Sequence, residues 1–159
     1  MKTIPLSQGK IALVDDSDFA DLSQFKWYAY KSENTFYAQR EIRDNGKRTS
    51  KKMHRHIMNA KSGEQVDHTN HNGLDCQRTN LRLCTTGQNQ WNRKRNSNGS
   101  SEYKGVQWRE RDKKWQAQIG YKGKRIHLGY FSDEIAAAQT YDAKATELFG
   151  TFAHLNFPN

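Results

Sequence analysis

The sequence predicts an α+β protein of two small modules rather than one large domain. The chain has 159 residues and 34% hydrophobic content, which is too little to bury one large core. Stretches rich in aromatic and β-branched residues alternate with polar breaks, a pattern typical of antiparallel strands. We therefore expect N-terminal antiparallel strands and a strand-strand-helix module, followed by a three-stranded antiparallel sheet packed on one helix.

The first sixty residues predict three strands and a short helix. The strands are expected at residues 10–14, 26–30 and 35–43. The Asp-Asn-Gly sequence of residues 44–46 favours a tight turn after the third strand. Met53 and Ile57 lie at helical spacing, which predicts a helix over residues 51–59.

Two further strands are predicted within residues 64–83. The first is brief and ends at residues 66–67, and a polar loop follows over residues 69–79. Residues 81–83 alternate between apolar and polar side chains, which indicates a returning strand.

A helix is predicted to begin directly after this second strand. Thr85 and Gln88 match the capping-box pattern, in which two side chains cover backbone amides at a helix start. This helix would carry Asn89 and Asn92 on one face, because residues three apart lie near each other on a helix.

The last third of the chain predicts a separate module behind a basic linker. Strands are expected at residues 104–109, 115–121 and 124–129, with a turn at Lys122-Gly123. A closing helix would have Ser132 as its N-cap and Gly150 as its stop. The predicted domains are residues 1–92, a linker over 93–102, and residues 103–159.

Positive charge is concentrated near the junction of the two modules. The chain carries 26 basic and 17 acidic residues, a formal charge of +9. Residues 93–125 contribute +8, residues 1–60 contribute +4, residues 61–92 are neutral, and residues 126–159 contribute −3. A polyanionic partner is therefore expected, since neutralising phosphates releases their counterions.

The sequence contains neither an apolar run long enough to span a membrane nor a signal-peptide pattern. We therefore expect a reducing compartment that contains nucleic acid, with no membrane partner. Cys76 and Cys84 agree with this expectation, because one pair gives no disulfide framework. A zinc site is not expected, since no second cysteine pair or close histidine pair completes a tetrahedral ligand set.

Four polar residues could converge on one small cavity: Asp67, His68, Asn80 and Asn89. They lie at a strand end, before a returning strand and on the following helix. Phosphodiester hydrolysis needs a base, a metal ion to stabilise charge, and a group that orients the base. Singly, each residue is more typical of a solvated loop or turn. Their combination is what indicates a hydrolytic site.

This segment resembles the HNH endonucleases of the ββα-metal class, especially those of phages and mobile introns. The matching runs are Val66-Asp67-His68, Asn80-Leu81-Arg82 and Gln88-Asn89-Gln90-Trp91-Asn92. Asn80 and Asn89 follow His68 by 12 and 21 residues, as in the family. The resemblance implies that His68 is the general base, that Asn80 orients its imidazole, and that Asp67 and Asn89 bind one divalent ion. Mg²⁺ is the expected ion, with Mn²⁺ as a substitute.

Other polar residues near this motif leave alternative roles open. Asn92 is the alternative to Asn89 as metal ligand. His54 and His56 would point to different faces of their helix, which argues against a shared metal and leaves phosphate contact or packing open. His71 is more typical of a turn residue than of a ligand.

Residues 103–158 are similar to the AP2/ERF DNA-binding domain of plant transcription factors. The matching runs are Tyr103-Lys104-Gly105-Val106, Lys124-Arg125-Ile126-His127-Leu128-Gly129-Tyr130-Phe131, Ala136-Ala137-Ala138-Gln139-Thr140-Tyr141-Asp142 and Leu155-Asn156-Phe157-Pro158. The resemblance implies a sheet in the major groove with a helix behind it. By position it implies DNA contacts at Lys104, Gln107, Arg109, Arg111, Gln118, Arg125, His127, Tyr130 and Tyr141. The basic linker adds Arg93, Lys94 and Arg95.

The predicted function is a homing or phage-type DNA endonuclease that nicks one strand of double-stranded DNA. One active site implies one cut, so a double-strand break would need two copies or two events. A monomer is expected, with a dimer as the alternative, in the cytoplasm of a bacterial or phage-infected cell. The competing hypothesis is a DNA-binding regulator that keeps the nuclease fold as a scaffold without cutting. Gln107, Gly120 and His127 differ from the plant pattern, so the recognised sequence should differ too.

Overall fold

The computed structural model describes residues 1–32, 35–44, 46–95 and 99–158. Asn45 of the predicted turn and linker residues 96–98 lie outside the described residues. The chain forms two compact units, Met1–Thr86 and Gly87–Asn159. The predicted α+β class with small antiparallel sheets is confirmed. Within the described ranges, no helix has the length and apolar character needed to cross a membrane.

The first unit consists of short strands and helices arranged as small antiparallel sheets. Its elements are β1 (Lys2–Pro5), β2 (Ile11–Val14), α1 (Asp16–Leu22), β3 (Tyr28–Ser32), β4 (Thr35–Asp44), β5 (Lys47–Lys52), α2 (Met53–Ile57), β6 (Gln65–His68) and β7 (Leu81–Cys84). β1 pairs with β2, β6 pairs with β7, and β3, β4 and β5 form one sheet with β4 in the middle.

Residues from nearly every element meet in the core of the first unit. Val14, Leu22 and Met53 have no exposed surface, and Trp27 is 4% exposed. The Trp27 indole N–H donates to the Leu22 carbonyl at 2.8 Å, which satisfies the polar atom of a buried aromatic ring. The helix α2 is therefore anchored by Met53 in the same core that supports the strands.

Three elements of the first unit, β1, α1 and β5, were not predicted. β5 reads Lys-Arg-Thr-Ser-Lys-Lys and contains no apolar residue. It becomes a strand because it pairs with β4 over its full length. The predicted helix over residues 51–59 consequently begins only at Met53. The short elements β1 and α1 likewise depend on tertiary packing more than on local propensity.

The second unit is a three-stranded antiparallel sheet with one long helix. Its elements are β8 (Val106–Arg109), β9 (Lys114–Tyr121), β10 (Lys124–Phe131), α4 (Glu134–Phe149) and a 3-10 turn (Gly150–Phe152). Ala117 of β9 and Ala137 and Ala138 of α4 are fully buried in one cluster. Such small side chains let a helix lie close to a sheet.

The ends of α4 correct one prediction and agree with another. Asp133 is the N-cap, because its carboxylate accepts from the amides of Ile135 and Ala136. Ser132, predicted in that role, precedes the cap by one residue. Gly150 follows the helix with φ of +53°, a conformation that glycine adopts readily.

The helix α3 (Thr86–Trp91) starts at the last residue of the first unit and continues into the second. Its Trp91 ring stacks on Phe149, with centroids 4.6 Å apart and an interplanar angle of 13°. This packing makes residues 87–92 part of the second unit, whereas the sequence predicted a first domain ending at residue 92.

Candidate active site

The hairpin of β6 and β7 carries two of the predicted site residues. Asp67 and His68 end β6 and are buried, with 5% and 6% of their surfaces exposed. Asp67 lies opposite Arg82 in the hairpin. The Arg82 guanidinium donates to Asp67 Oδ2 from Nε at 2.9 Å and from Nη2 at 2.6 Å. The buried carboxylate is thus held by a charge-assisted pair.

Asn80 closes the loop that connects these two strands. Its Oδ1 accepts the amide N–H of Asn70 at 2.9 Å, and its Nδ2 donates to the Asp75 carbonyl at 2.8 Å. Its own carbonyl accepts from the amide and hydroxyl of Thr69. Asn80 therefore fixes the backbone immediately after His68, which makes it a positioning residue.

Two aromatic rings that the sequence did not assign to the site surround His68. The His54 ring lies edge-on to it, with centroids 4.8 Å apart, and the Tyr37 ring lies 5.7 Å away. Tyr37 also contacts His54 at 5.3 Å. Gly73 packs so tightly on this side that a Cβ there would lie 2.7 Å from the Tyr37 ring. The loop, β4 and α2 therefore enclose the imidazole together.

The remaining histidines of this region have other partners. His54 is 5% exposed, and His56 Nε2 lies 2.6 Å from Asp21 Oδ2, within hydrogen-bond distance. The two side chains thus point away from each other, as their spacing predicted. His71 has φ of +63° and its amide donates to the His68 carbonyl, as expected of a turn residue.

Burial keeps both central histidines neutral at pH 7. Loss of solvation lowers the pKa of His68 to about 4, although Asp67 and Asp75 act in the opposite direction. The same cause, followed by the charge of His68, lowers the pKa of His54 to about 2. A neutral imidazole can accept a proton, which is the requirement for a general base.

The two cysteines are buried thiols. Loss of solvation raises the pKa of Cys76 to about 12 and also raises the pKa of Cys84. Thiolates are the forms that bind zinc or attack substrates, so neither cysteine favours such chemistry at pH 7.

The donors of the first unit fit a hard divalent ion with few protein ligands. Among the described residues, no group of three or more His, Cys, Asp or Glu side chains is arranged to hold a metal. The Asp67 carboxylate is an oxygen donor of the kind that Mg²⁺ prefers, and a site with few protein donors leaves positions for phosphate and water. Asn89, the second predicted ligand, is half-buried on α3, and its rival Asn92 is 4% exposed just beyond that helix.

Six predicted DNA contacts share one face of the second unit's sheet. His127 lies directly opposite Gln118, and Arg125 lies directly opposite Gly120. Gln116 on the central strand lies opposite Gln107 on one side and Tyr130 on the other. Because side chains alternate along strands, this face is opposite the one that packs on α4. We call it the recognition face, and it carries Gln107, Arg109, Gln118, Arg125, His127 and Tyr130.

Hydrogen bonds organise the centre of the recognition face. Gln116 Oε1 accepts from Gln107 at 2.8 Å, and its Nε2 lies 3.2 Å from His127 Nδ1. The His127 and Tyr130 rings are 4.6 Å apart. Gln116, which was not among the predicted contacts, therefore links two of them, Gln107 and His127.

Two other predicted DNA contacts, Tyr141 and Lys104, have partners within the second unit. Tyr141 is 3% exposed and packs in the core of the second unit, against the backbone of Gly105. The Lys104 ammonium donates to the Trp91 carbonyl at 2.6 Å, and burial lowers its pKa to about 8. Both side chains therefore have partners within the second unit, and their DNA contacts stay predictions.

The last predicted contacts lie outside the sheet. Arg111 is in the exposed connection between β8 and β9 and pairs with its neighbour Asp112. Arg93, Lys94 and Arg95 are exposed, and Arg95 donates to the Ser101 carbonyl at 2.9 Å. The DNA contacts predicted for these four residues stay predictions.

Comparison with known proteins relates the chain to one nuclease family over most of its length. Residues 51–91 match the family model described as HNH endonuclease. An uncharacterized HNH endonuclease of Acanthamoeba polyphaga mimivirus is 32% identical over 155 residues, which cover 94% of this chain and 76% of the viral protein.

Plant transcription factors are similar to part of the chain. An AP2-like ethylene-responsive transcription factor of Arabidopsis thaliana is 40% identical over 58 residues, 36% of this chain and 12% of that protein. An ethylene-responsive transcription factor of the same plant is 46% identical over 59 residues, 36% of this chain and 32% of that protein. No solved structure matches the chain.

Proposed function

This chain belongs to the HNH endonuclease family, and from that premise we propose that it hydrolyses one phosphodiester bond of double-stranded DNA and leaves a nick. The observation that carries the proposal is the environment of His68. It is a buried, neutral imidazole beside a buried carboxylate, and a hairpin loop fixed by Asn80 follows it. This arrangement suits a base that must take a proton at neutral pH.

In the proposed reaction, His68 removes a proton from water as the water oxygen attacks phosphorus. The bond between phosphorus and the 3′ oxygen then breaks, and that oxygen gains a proton. The products are a 3′-hydroxyl and a 5′-phosphate. Asn80 keeps the backbone after His68 in place, and the edge contacts of Tyr37 and His54 restrict the orientation of its ring.

HNH endonucleases as a class use a divalent metal ion. We propose that Asp67 and Asn89 hold one such ion, Mg²⁺ in the first instance with Mn²⁺ as a substitute. When bound, the ion would stabilise negative charge on the phosphate and the leaving oxygen. The Arg82 guanidinium donates two hydrogen bonds to Asp67 Oδ2 and so orients the carboxylate for this role.

DNA recognition is assigned in this proposal to the second unit. Its similarity in part to AP2-type proteins and its exposed recognition face support duplex binding. Arg125, Arg109 and the amide side chains of Gln107 and Gln118 are of the types that contact base edges and phosphates. We expect a monomer in the cytoplasm of a bacterial or phage-infected cell.

A plasmid assay tests the proposal. Supercoiled plasmid incubated with the full chain and Mg²⁺ should convert to the open-circular form, and EDTA should prevent the conversion. Failure to nick with either Mg²⁺ or Mn²⁺, by protein that still binds the plasmid, would leave only the DNA-binding regulator. Nicking that persists in EDTA would contradict the metal requirement.

A further inference from the structure

The strand β5 is unusually basic and lies at the edge of its sheet. It contains Lys47, Arg48, Lys51 and Lys52 and no acidic residue, and residues 47–50 are all exposed. The strand order β3-β4-β5 leaves its outer side without a neighbouring strand in that sheet. Edge strands rich in lysine resist aggregation, so the composition alone does not identify a ligand.

The register between β4 and β5 places like charges opposite each other. Arg43 faces Arg48, and Arg40 faces Lys51. The Arg40 guanidinium is accommodated over the Phe25 ring, 3.7 Å from its centroid. No ion pair of Arg43 or Arg48 with a carboxylate occurs within the described part of the chain. Opposed like charges destabilise a hairpin, so stability of the fold does not account for this pair.

Alternation along the strands places these arginines on the same face as the candidate active site. Tyr37, Gln39 and Arg43 are at odd positions of β4, so their side chains lie on one face of the sheet. Arg48 pairs with Arg43 and Lys52 pairs with Gln39, so both cations of β5 lie on that face as well. The Lys52 ammonium lies 4.5 Å from the Tyr37 centroid, and Tyr37 contacts His68. Lys52 is therefore the cation of this row nearest to the imidazole pair.

We call this surface, defined by Arg43, Arg48 and Lys52, the cationic face, because these three side chains on it are positively charged. Glu41 is the acidic residue described on the same face, opposite Ser50. Four residues of strand separate Arg48 from Lys52, which corresponds to about 13 Å. DNA carries one phosphate about every 3.4 Å along each strand, so the row is long enough to follow several consecutive phosphates.

We propose that the cationic face binds the phosphate backbone of duplex DNA next to the bond that is cut. The inference rests on the proposed function, because it needs DNA at His68, and it adds a binding surface within the nuclease unit itself. Its physical basis is that bound phosphates would neutralise the Arg43–Arg48 repulsion that the free fold retains. The hairpin would then direct the backbone along Lys52 toward Tyr37 and His68.

The test compares two double variants of the full chain that each remove two positive charges. Arg43→Gln/Arg48→Gln alters the cationic face, and Lys31→Gln/Lys51→Gln alters the opposite face of the same sheet. Affinity for a labelled 30-base-pair DNA duplex is measured in EDTA by fluorescence anisotropy over a series of salt concentrations. The first variant should bind about ten-fold more weakly at low salt, with a salt slope smaller by about 1.8 for two lost phosphate contacts. The second should stay within about two-fold of wild type.

Equal losses in both double variants would mean general electrostatic attraction and would overturn the proposal, as would no loss in the first. A larger loss on an RNA duplex than on DNA would also overturn it. Arg43→Lys/Arg48→Lys keeps the charge and should retain most of the affinity. Thermal melting of Arg43→Gln/Arg48→Gln should be no lower than wild type, because a repulsive pair has been removed.

The plasmid assay separates this inference from the proposed function. If the wild-type chain nicks DNA but the first double variant binds normally, only the cationic face is refuted. If the wild-type chain never nicks while that variant loses affinity, the nuclease proposal fails and the binding surface stands.

Discussion

Each unit buries an aspartate, and the two carboxylates are held in different ways. Asp142 in α4 is 9% exposed and accepts from the amides of Asn156 and Phe157 at 2.9 and 2.8 Å, which fastens the C-terminal segment to the helix. Asp67 is 5% exposed and is held by the charged side chain of Arg82, next to the neutral His68. Backbone donors make Asp142 a structural residue, whereas the neighbours of Asp67 can take part in chemistry.

A buried carboxylate indicates a functional site only through the groups that it contacts. Buried polar groups generally need hydrogen bonds, and both aspartates have them. In the second unit those bonds complete the fold and leave the recognition face exposed on the other side of the sheet. In the first unit the polar residues lie where β6, the following loop, β4 and α2 meet. The proposed function therefore assigns cutting to the first unit and recognition to the second.

The largest expected effect separates two carboxylates of the first unit, the buried Asp67 of β6 and the partly buried Asp75 of the following loop. Asp67→Asn removes the negative charge while keeping the shape, and nicking in Mg²⁺ should fall by roughly 100-fold or more, because a proposed metal ligand is lost. Asp75→Asn is the matched control, since that side chain accepts from Asn70 within the loop. Calorimetric titration of Mg²⁺ should show weaker binding for Asp67→Asn than for Asp75→Asn. Equal activity in the two variants would contradict the metal role.

The next effect tests the packing of the second unit at two glycines. Gly105 has φ of +79°, and an added Cβ would meet the Tyr141 ring and lie 2.8 Å from the Gln118 carbonyl. Gly123 has φ of +75° with open space around it. Gly105→Ala should therefore cost about 3 kcal/mol of unfolding free energy, against about 1 kcal/mol for Gly123→Ala. Chemical denaturation measures both, and equal losses would show that Tyr141 does not pack as described.

A smaller effect concerns the pH dependence of stability. His54 and His68 have pKa values of about 2 and about 4 in the folded protein, both below the ordinary value of about 6.5. Between the folded and the unfolded pKa values, the unfolded chain therefore binds more protons than the folded protein. The free energy of unfolding consequently falls as the pH drops below about 6.5. At pH 5 the loss is about 2 kcal/mol for each histidine.

His54→Phe keeps an aromatic ring and should remove about half of this pH dependence in thermal melts between pH 7 and 5. His127→Phe, at an exposed position of the second unit, is the control and should leave it unchanged. If the melting temperature of His54→Phe depends on pH as strongly as that of wild type, the buried His54 imidazole is protonated in the folded state.

The smallest effect is expected at one residue of the recognition face. Arg125→Gln should weaken duplex binding a few-fold and reduce the salt slope by about 0.9, the contribution of one phosphate contact. Its nicking rate at saturating DNA should not change. Lys144→Gln in α4, which pairs with Glu147, removes the same charge elsewhere in the unit and should bind like wild type.

The sequence predicted local parts of the molecule better than distant contacts. Strand-ending Asp67 and His68 and the returning β7 follow from alternation and loop composition within a short stretch. His54 and Tyr37 were not assigned to the site, because they come from α2 and β4, far from His68 along the chain. A single histidine on a helix and a tyrosine on a strand carry no local signal of their shared partner.

The recognition unit shows the same limit. Its strands and helix follow from turn residues and apolar periodicity, and the Lys122-Gly123 turn has positive φ at both positions, as two-residue hairpins require. Tyr141 and Lys104 match the positions of DNA contacts, and in the structure the Tyr141 side chain is buried and the Lys104 ammonium donates to the Trp91 carbonyl. β5 illustrates the reverse case, since only its pairing with β4 makes a polar segment a strand and aligns its cations.

The most direct test of the division between cutting and recognition is to measure nicking rate and DNA affinity together in His68→Ala. The full chain and this variant are compared on the same duplex, with single-turnover nicking in Mg²⁺ and anisotropy in EDTA. The account predicts a rate lower by about 10² to 10⁴ with affinity within about two-fold of wild type, because a general base acts only in the chemical step. Nicking by His68→Ala at the wild-type rate would contradict it.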